Sequence, residues 1–324
     1  MKNILIIGSG ELGSRHLQAL TKTNININIQ VVDPSNESLK IASERFKELP
    51  ENKNVNSVNF FNEIDAIFDQ IDLVIISTSS NVRSNVIKEI LNKRHVKNIV
   101  LEKVLFQTIQ EYQEITKLFK SFEIRCWVNH PRRMYPFYKN LRKDLSESSH
   151  IHMSVQGGDW GLACNGLHYI DIFLHLINSN NIDLNTSSLD NQILESKRKG
   201  FIEVSGSITG KSKQSTLSLT CINSYTPTII TINSPEIYLI INESLNEISI
   251  AKKSEGWKFK TYSEKIVYYQ SELSNIFMEE ILINDRCSLT TYEHSVLPHV
   301  EFIKNILYQI NKNSNEEQTV CKIT

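Results

Sequence analysis

The chain has 324 residues, more than one hydrophobic core usually organises, so two domains are expected. Hydrophobic residues make up 40% and charged residues 22%, and 35 Lys and Arg balance 36 Asp and Glu, without the basic excess of a nucleic-acid binder. No apolar run reaches the ~18–20 residues that span a bilayer; five scattered cysteines without a CxxC pair argue against a disulfide framework and a zinc site.

These features describe a cytoplasmic protein with no membrane or nucleic-acid partner and no metal. Short basic clusters, Arg132-Arg133 and Lys197-Arg198-Lys199, read as solvated faces or local anion contacts.

The first ~125 residues alternate apolar runs with amphipathic stretches, as a parallel sheet covered by helices requires. Strands are predicted at Ile4–Ile7, Ile27–Val32, Val58–Phe61, Leu73–Ser77, Ile99–Leu101 and Ile124–Val128. Helices are predicted between them at Leu12–Thr21, Glu37–Phe46, Val82–Leu91 and Ile109–Phe119, where residues such as Ile87, Ile90 and Leu91 recur at helical spacing. Several strands are nearly continuous Ile, Val and Leu, the composition of strands buried on both faces.

Past Pro131 the texture changes. Helices at Tyr135–Leu145 and Leu167–Ile177 flank a strand at His150–Val155. Alternating segments follow at Phe201–Ile208, Ser215–Cys221, Thr228–Ile232, Ile237–Ile241 and Glu247–Ala251, separated by turn signals. Helical patterns at Gln270–Ile283 and Thr291–Ile310 come last, and the polar stretch Asn311–Thr324 is expected to fray. The fold class is therefore α/β: an N-terminal Rossmann domain (1–125) and a C-terminal α/β domain (126–324) with a large, mostly antiparallel open sheet. The second domain is expected to bind substrate and, through the uncovered apolar residues of its sheet, to form a homo-oligomer.

The segment Ile4-Leu5-Ile6-Ile7-Gly8-Ser9-Gly10-Glu11-Leu12-Gly13 places G-x-G-x-x-G between a strand and a helix. Gly8 permits the turn, Gly10 lets the backbone approach a pyrophosphate, and Gly13 allows close helix–strand packing. The helix opening at Glu11 and Leu12 points free N–H groups at the phosphates. Asp33 ends the second strand, where an acidic side chain accepts hydrogen bonds from the adenosine ribose and repels a 2′-phosphate. The cofactor expected is NAD. Ser77, Thr78 and Ser79, after the fourth strand, and Glu102 and Lys103, after the fifth, complete the candidate cofactor contacts.

Lys103 stands at the carboxyl edge of the sheet, where ligands bind in open α/β folds. Later, Asn165-Gly166-Leu167-His168-Tyr169-Ile170-Asp171 opens an apolar helix, with His168 and Asp171 on one face. A histidine oriented by a carboxylate at a helix start can serve as general base. His175, within an apolar run, reads as a core histidine, and Cys164 as packing or pocket lining.

Taken together, Gly8-x-Gly10-x-x-Gly13-x-x-His16, Glu102-Lys103, Asn129-His130-Pro131-Arg132-Arg133 and Gly166-x-His168-x-x-Asp171 resemble the Gfo/Idh/MocA oxidoreductases across nearly the whole chain. The resemblance implies hydride transfer between nicotinamide and a hydroxyl-bearing carbon of a sugar or nucleotide-activated sugar. It implies His168 as acid/base, Lys103 on the developing alkoxide, Asp171 tuning the network, and Arg133, Trp160 and Asn165 at the substrate. The Gly158–Asn165 segment resembles members associated with bacterial surface-glycan sugars. Departures are Val104 for the usual Pro, Arg83 for a His, and Cys164 for an Asp. Two other readings stay open, a non-catalytic NAD-binding regulator and an NAD-dependent glycosidase.

Overall fold

The computed structural model describes residues 1–312 and 316–324, which divide into two compact units. The first holds residues 1–106, 110–131 and 268–292; the second holds 107–109, 132–267 and 293–324.

The first unit is built on a seven-stranded sheet, ordered Thr290–Thr291, Arg125–Val128, Asn98–Leu101, Leu73–Ile76, Lys2–Ile7, Ile27–Val32, Val55–Phe61. All neighbours are parallel except the short Thr290–Thr291 edge. Every residue of Ile4–Ile7, Leu73–Ile76 and Asn98–Leu101 is buried, and all but Asn98 are apolar, as strands covered on both faces require. From Lys2–Ile7 the chain first adds strands on one side and later on the other. The strand order therefore reverses beside this strand, and a crevice opens at its carboxyl end.

The helix Ser274–Asn284 packs on Glu11–Leu20, with Phe277 edge-on to His16 at 6.1 Å. The segment Tyr268–Tyr292, expected with the second domain, is thus part of the first unit. Its apolar residues find their burial on a helix some 250 positions earlier, which periodicity cannot foretell.

The second unit carries an eight-stranded sheet, ordered Asp183–Glu195, Ile202–Ser212, Ser215–Ile222, His152–Gly158, Thr226–Asn233, Ile237–Asn242, Glu247–Lys252, Lys260–Ser263. Only the pairing of Ser215–Ile222 with His152–Gly158 is parallel. The strand Asp183–Glu195 has no counterpart in the sequence reading. It is polar, lies at the edge, and changes register twice against its neighbour, so no period-2 pattern survives.

One face of this sheet packs Val155, Leu217, Leu219, Ile230, Ile232 and Leu239 into the core, where the helix Leu162–Leu176 covers it. The opposite face is expected to carry apolar residues. Ser154, Ser218, Thr220 and Thr231 predominate there, with Ile229, Tyr238 and Ile240 among them.

Two further expectations change. The helix predicted from Leu167 begins at Leu162, after Gly161 in a left-handed turn (φ 76°). The chain end does not fray where it is described: Cys321, Ile323 and Thr324 are buried, and Cys321 N–H donates to Gln107 O at 2.8 Å. Residues 313–315 of that predicted stretch lie outside the described residues.

Candidate active site

In the first unit, the loop after Lys2–Ile7 forms a cradle at the carboxyl end of the sheet. A β-carbon at Gly13 would lie 1.8 Å from Gly8 O, so only glycine lets the helix pack this closely on the strand. At Gly10 an added β-carbon would meet nothing within 4 Å, so the space over the helix start is open. No side chain caps the first turn, leaving the N–H groups from Glu11 and Leu12 onward to face a phosphate. The Glu11 side chain instead pairs with Arg15 and Arg45 at the surface.

Asp33 closes the cradle from the second strand. Its carboxylate accepts from Ser9 N at 2.6 Å and from Ser35 N at 2.8 Å, which locks it against the glycine loop. A cavity of about 630 Å³ runs from Gly8 and Gly10 past Asp33 to Ser77, Thr78 and Ser79. Ser77 Oγ donates to Gly8 O at 2.7 Å, joining the two loops that flank the crevice. This donor set and the open room over Gly10 fit a dinucleotide.

Glu102 does not face that cavity. It is 4% exposed, and its carboxylate accepts from Asn129 Nδ2 and meets His16 Nε2 at 2.9 Å. His16 Nδ1 in turn meets Ser274 Oγ at 2.8 Å. Burial pushes the Glu102 carboxyl up, but the bonds from His16 and Asn129 and the charge of Arg83 outweigh it and hold it below the usual value. Glu102, expected to contact cofactor, is thus anchored to His16 and Asn129 and fixes the backbone just before Lys103. Lys103 itself is half-buried at the carboxyl end of Asn98–Leu101, and the Lys103–Val104 peptide is cis.

In the sequence, Arg83 stands out only as a departure from a family pattern. The side chain is 1% exposed and donates to Val104 O, to Leu105 O at 3.1 Å and to Thr78 O. The available signal was its spacing: Arg83 shares the buried stripe of its helix with Ile87 and Ile90.

In the second unit, the helix Leu162–Leu176 is buried except at Cys164, Asn165, His168 and His175. Residues at this spacing lie along one face. His168 is the seventh residue of the helix, not part of its opening turn as expected. Asp171, on the same face, is 6% exposed and accepts a two-pronged bond from Arg133 at 2.7 and 2.8 Å. Arg133, expected at the substrate, is therefore committed to Asp171.

Its neighbour Arg132 is no solvated residue either. It forks onto Glu243 at 2.9 and 2.6 Å and lies 4.3 Å over the Tyr169 ring. His175 is half-buried rather than in the core, with Arg142 Nη1 at 3.2 Å from its Nδ1. Burial and the charges of Arg133 and Arg142 push its pKa down to about 3.

A cavity of about 440 Å³ opens at the amino end of this helix, lined by Trp160, Cys164, Asn165, Lys197, Arg198 and Glu203 among others. Trp160 donates to Thr220 O at 3.0 Å and stands edge-on to Tyr169 at 5.3 Å; Asn165 donates to Trp160 O. Glu203 was not anticipated. Its carboxylate accepts from Ala163 N at 2.8 Å and Cys164 N at 3.0 Å, capping the helix that carries His168. A lone Glu in a strand gives no hint of amides forty positions away. Among the described residues, no cluster of three or more His, Cys, Asp or Glu side chains could hold a metal, and no helix is long and apolar enough to cross a membrane.

Residues 2–130 match the family model described as oxidoreductase family, NAD-binding Rossmann fold, of the Gfo/Idh/MocA group. No curated protein sequence matches significantly. Among solved structures, a Gfo/Idh/MocA family oxidoreductase from Vibrio cholerae is similar over 98% of this chain and 100% of its own, at 14% identity and TM-score 0.70. A super-repressor mutant of Gal80p from Saccharomyces cerevisiae is similar over 97% and 96%, at 13% identity and TM-score 0.71. The UDP-N-acetylglucosamine 3-dehydrogenase GnnA from Acidithiobacillus ferrooxidans is similar over 94% and 96%, at 13% identity and TM-score 0.64.

Proposed function

We propose, for a chain whose residues 2–130 match the NAD-binding Rossmann model of the Gfo/Idh/MocA oxidoreductases, an NAD-dependent dehydrogenase or reductase acting on a hydroxyl-bearing carbon of a sugar or nucleotide-activated sugar. The observation that carries this is the cradle: close packing at Gly13, open room over Gly10 and the fixed Asp33 carboxylate. Bound NAD would supply the hydride acceptor or donor. The chain's own residues do the rest.

In this reading His168 takes the proton of the substrate hydroxyl, and Lys103 holds the developing negative charge on that oxygen. Asp171 supports rather than reacts: paired with Arg133, it stiffens the helix face on which His168 stands. Asn165, one helical turn before His168, and Trp160, just before the helix, line the cavity, and an aromatic wall with polar neighbours suits a sugar ring. The fold-level likeness to GnnA makes a nucleotide-linked substrate, and a place in surface-glycan biosynthesis, part of this proposal.

Purified protein, NAD⁺ and a panel of free and nucleotide-linked sugars test it through the growth of NADH absorbance. Tight NAD binding without turnover on any of them would favour a regulator, the reading prompted by Cys164, Val104 and Arg83 in place of an Asp, a Pro and a His and by the likeness to Gal80p. Glycoside cleavage without net NADH would favour a glycosidase. We also propose a cytoplasmic homodimer or homotetramer. The five cysteines, all among the described residues, are joined by no disulfide, in keeping with a reducing compartment. Ile229, Tyr238 and Ile240 offer apolar contacts on the uncovered sheet face.

A further inference from the structure

We propose that Arg83 is the positioning residue for Lys103, an inference that rests on placing Lys103 at the cofactor. A guanidinium carries five N–H donors in a rigid fork and stays charged, so its burial demands acceptors at fixed places. Arg83 finds three carbonyls: Val104 and Leu105, the two residues after Lys103, and Thr78, in the loop lining the cofactor cavity.

The residue before Lys103 is anchored separately. Glu102 is held by His16, from the glycine-loop helix, and by Asn129. Lys103 is thus the half-buried residue between two buried anchors. One anchor ties its backbone to the glycine-loop helix, the other to the Thr78 loop. An imidazole has two ring nitrogens and could not reach three carbonyls, and an ammonium lacks the fork. Arg83 therefore couples the Ser77–Ser79 wall of the cradle to the lysine, so that occupancy of the cradle and the lysine's position are set together.

The test reads the lysine directly. Lysines are dimethylated with ¹³C-formaldehyde, which keeps their charge, and the Lys103 signal is assigned with Lys103→Arg. In the unmodified sequence, NAD⁺ shifts this signal. In Arg83→Gln and Arg83→Lys, each checked for folding by thermal melting, the signal broadens and ceases to follow NAD⁺, and the NAD⁺ Kd rises about tenfold. Arg83→Lys retains the buried charge and so supplies a folded variant should Arg83→Gln not yield one. Wild-type affinity together with a wild-type Lys103 response in these variants overturns the inference. A Lys103 signal that ignores NAD⁺ in the unmodified protein overturns instead the placement of Lys103 at the cofactor.

Discussion

Arg133 and Asp171 hold each other in a two-pronged ion pair of 2.7 and 2.8 Å, with side-chain exposures of 14% and 7%. Residues that sequence suggests as a substrate contact and as a tuner of the catalytic network are thus one structural unit beneath the His168 face. Removing one partner leaves a buried charge uncompensated. Asp171→Asn should cost about 3 kcal/mol of stability, whereas Arg133→Met with Asp171→Leu should cost less than either single change. Urea unfolding of Asp171→Asn, of Arg133→Met, of Asp171→Leu and of the double variant checks this; additive losses would show the pair to be unimportant.

His175 makes stability pH-dependent. Its pKa falls from the usual 6.5 to about 3, through burial first and then the charges of Arg133, Arg142 and Lys139 against the opposing Asp171. Between these values the unfolded chain binds a proton here that the folded chain does not. Stability from this group is therefore complete above pH 6.5 and drains as the pH falls toward 3. At pH 5 the loss should be about 2 kcal/mol. Denaturant curves for His175→Gln should lack this share of the decline between pH 7 and 5.

Asp33 should decide cofactor choice. Its carboxylate faces the cavity that continues from Gly8 and Gly10, and Glu63 and Asp65 line the same cavity, so a 2′-phosphate would meet negative charge. Asp33→Ala should weaken NAD⁺ binding by about 1.5–3 kcal/mol and improve the relative binding of NADP⁺. Calorimetry showing NADP⁺ bound more tightly by the unaltered protein would contradict the assignment.

His168→Ala should lower turnover by about 10²–10⁴, the usual contribution of a positioned general base. NAD⁺ affinity should stay unchanged, because the cradle draws all its residues from the first unit. Lys103→Ala should lower both turnover and, more modestly, NAD⁺ affinity. Stopped-flow oxidation of the substrate found by screening gives the comparison. Near-normal turnover in His168→Ala would move the base elsewhere.

Light scattering at micromolar protein should return a multiple of the 37.3 kDa chain mass. Ile240→Lys, on the uncovered sheet face, should shift the population toward monomer without lowering the melting temperature appreciably. A single 37.3 kDa species before any substitution would rule the assembly out.

What the sequence determines by itself is local. Ile4–Ile7 and Leu73–Ile76 are strands because unbroken β-branched and apolar runs suit a doubly covered sheet. The spacing of Gly8, Gly10 and Gly13 marks a phosphate cradle because three glycines within six residues meet the needs of one turn and one helix start. His168 and Asp171 share a face by helical geometry alone. Tertiary structure decides which polar groups are spent on each other. His16 meets Ser274 across 258 positions, Arg133 takes Asp171 across 38, and Glu203 caps amides 39 and 40 positions away. Such choices follow from which groups folding strips of water, since a buried polar atom must find a partner wherever the fold has brought one. The edge strand Asp183–Glu195 belongs with them: its polar, register-shifted residues are extended because a neighbouring strand offers its backbone, not because their own pattern requires it.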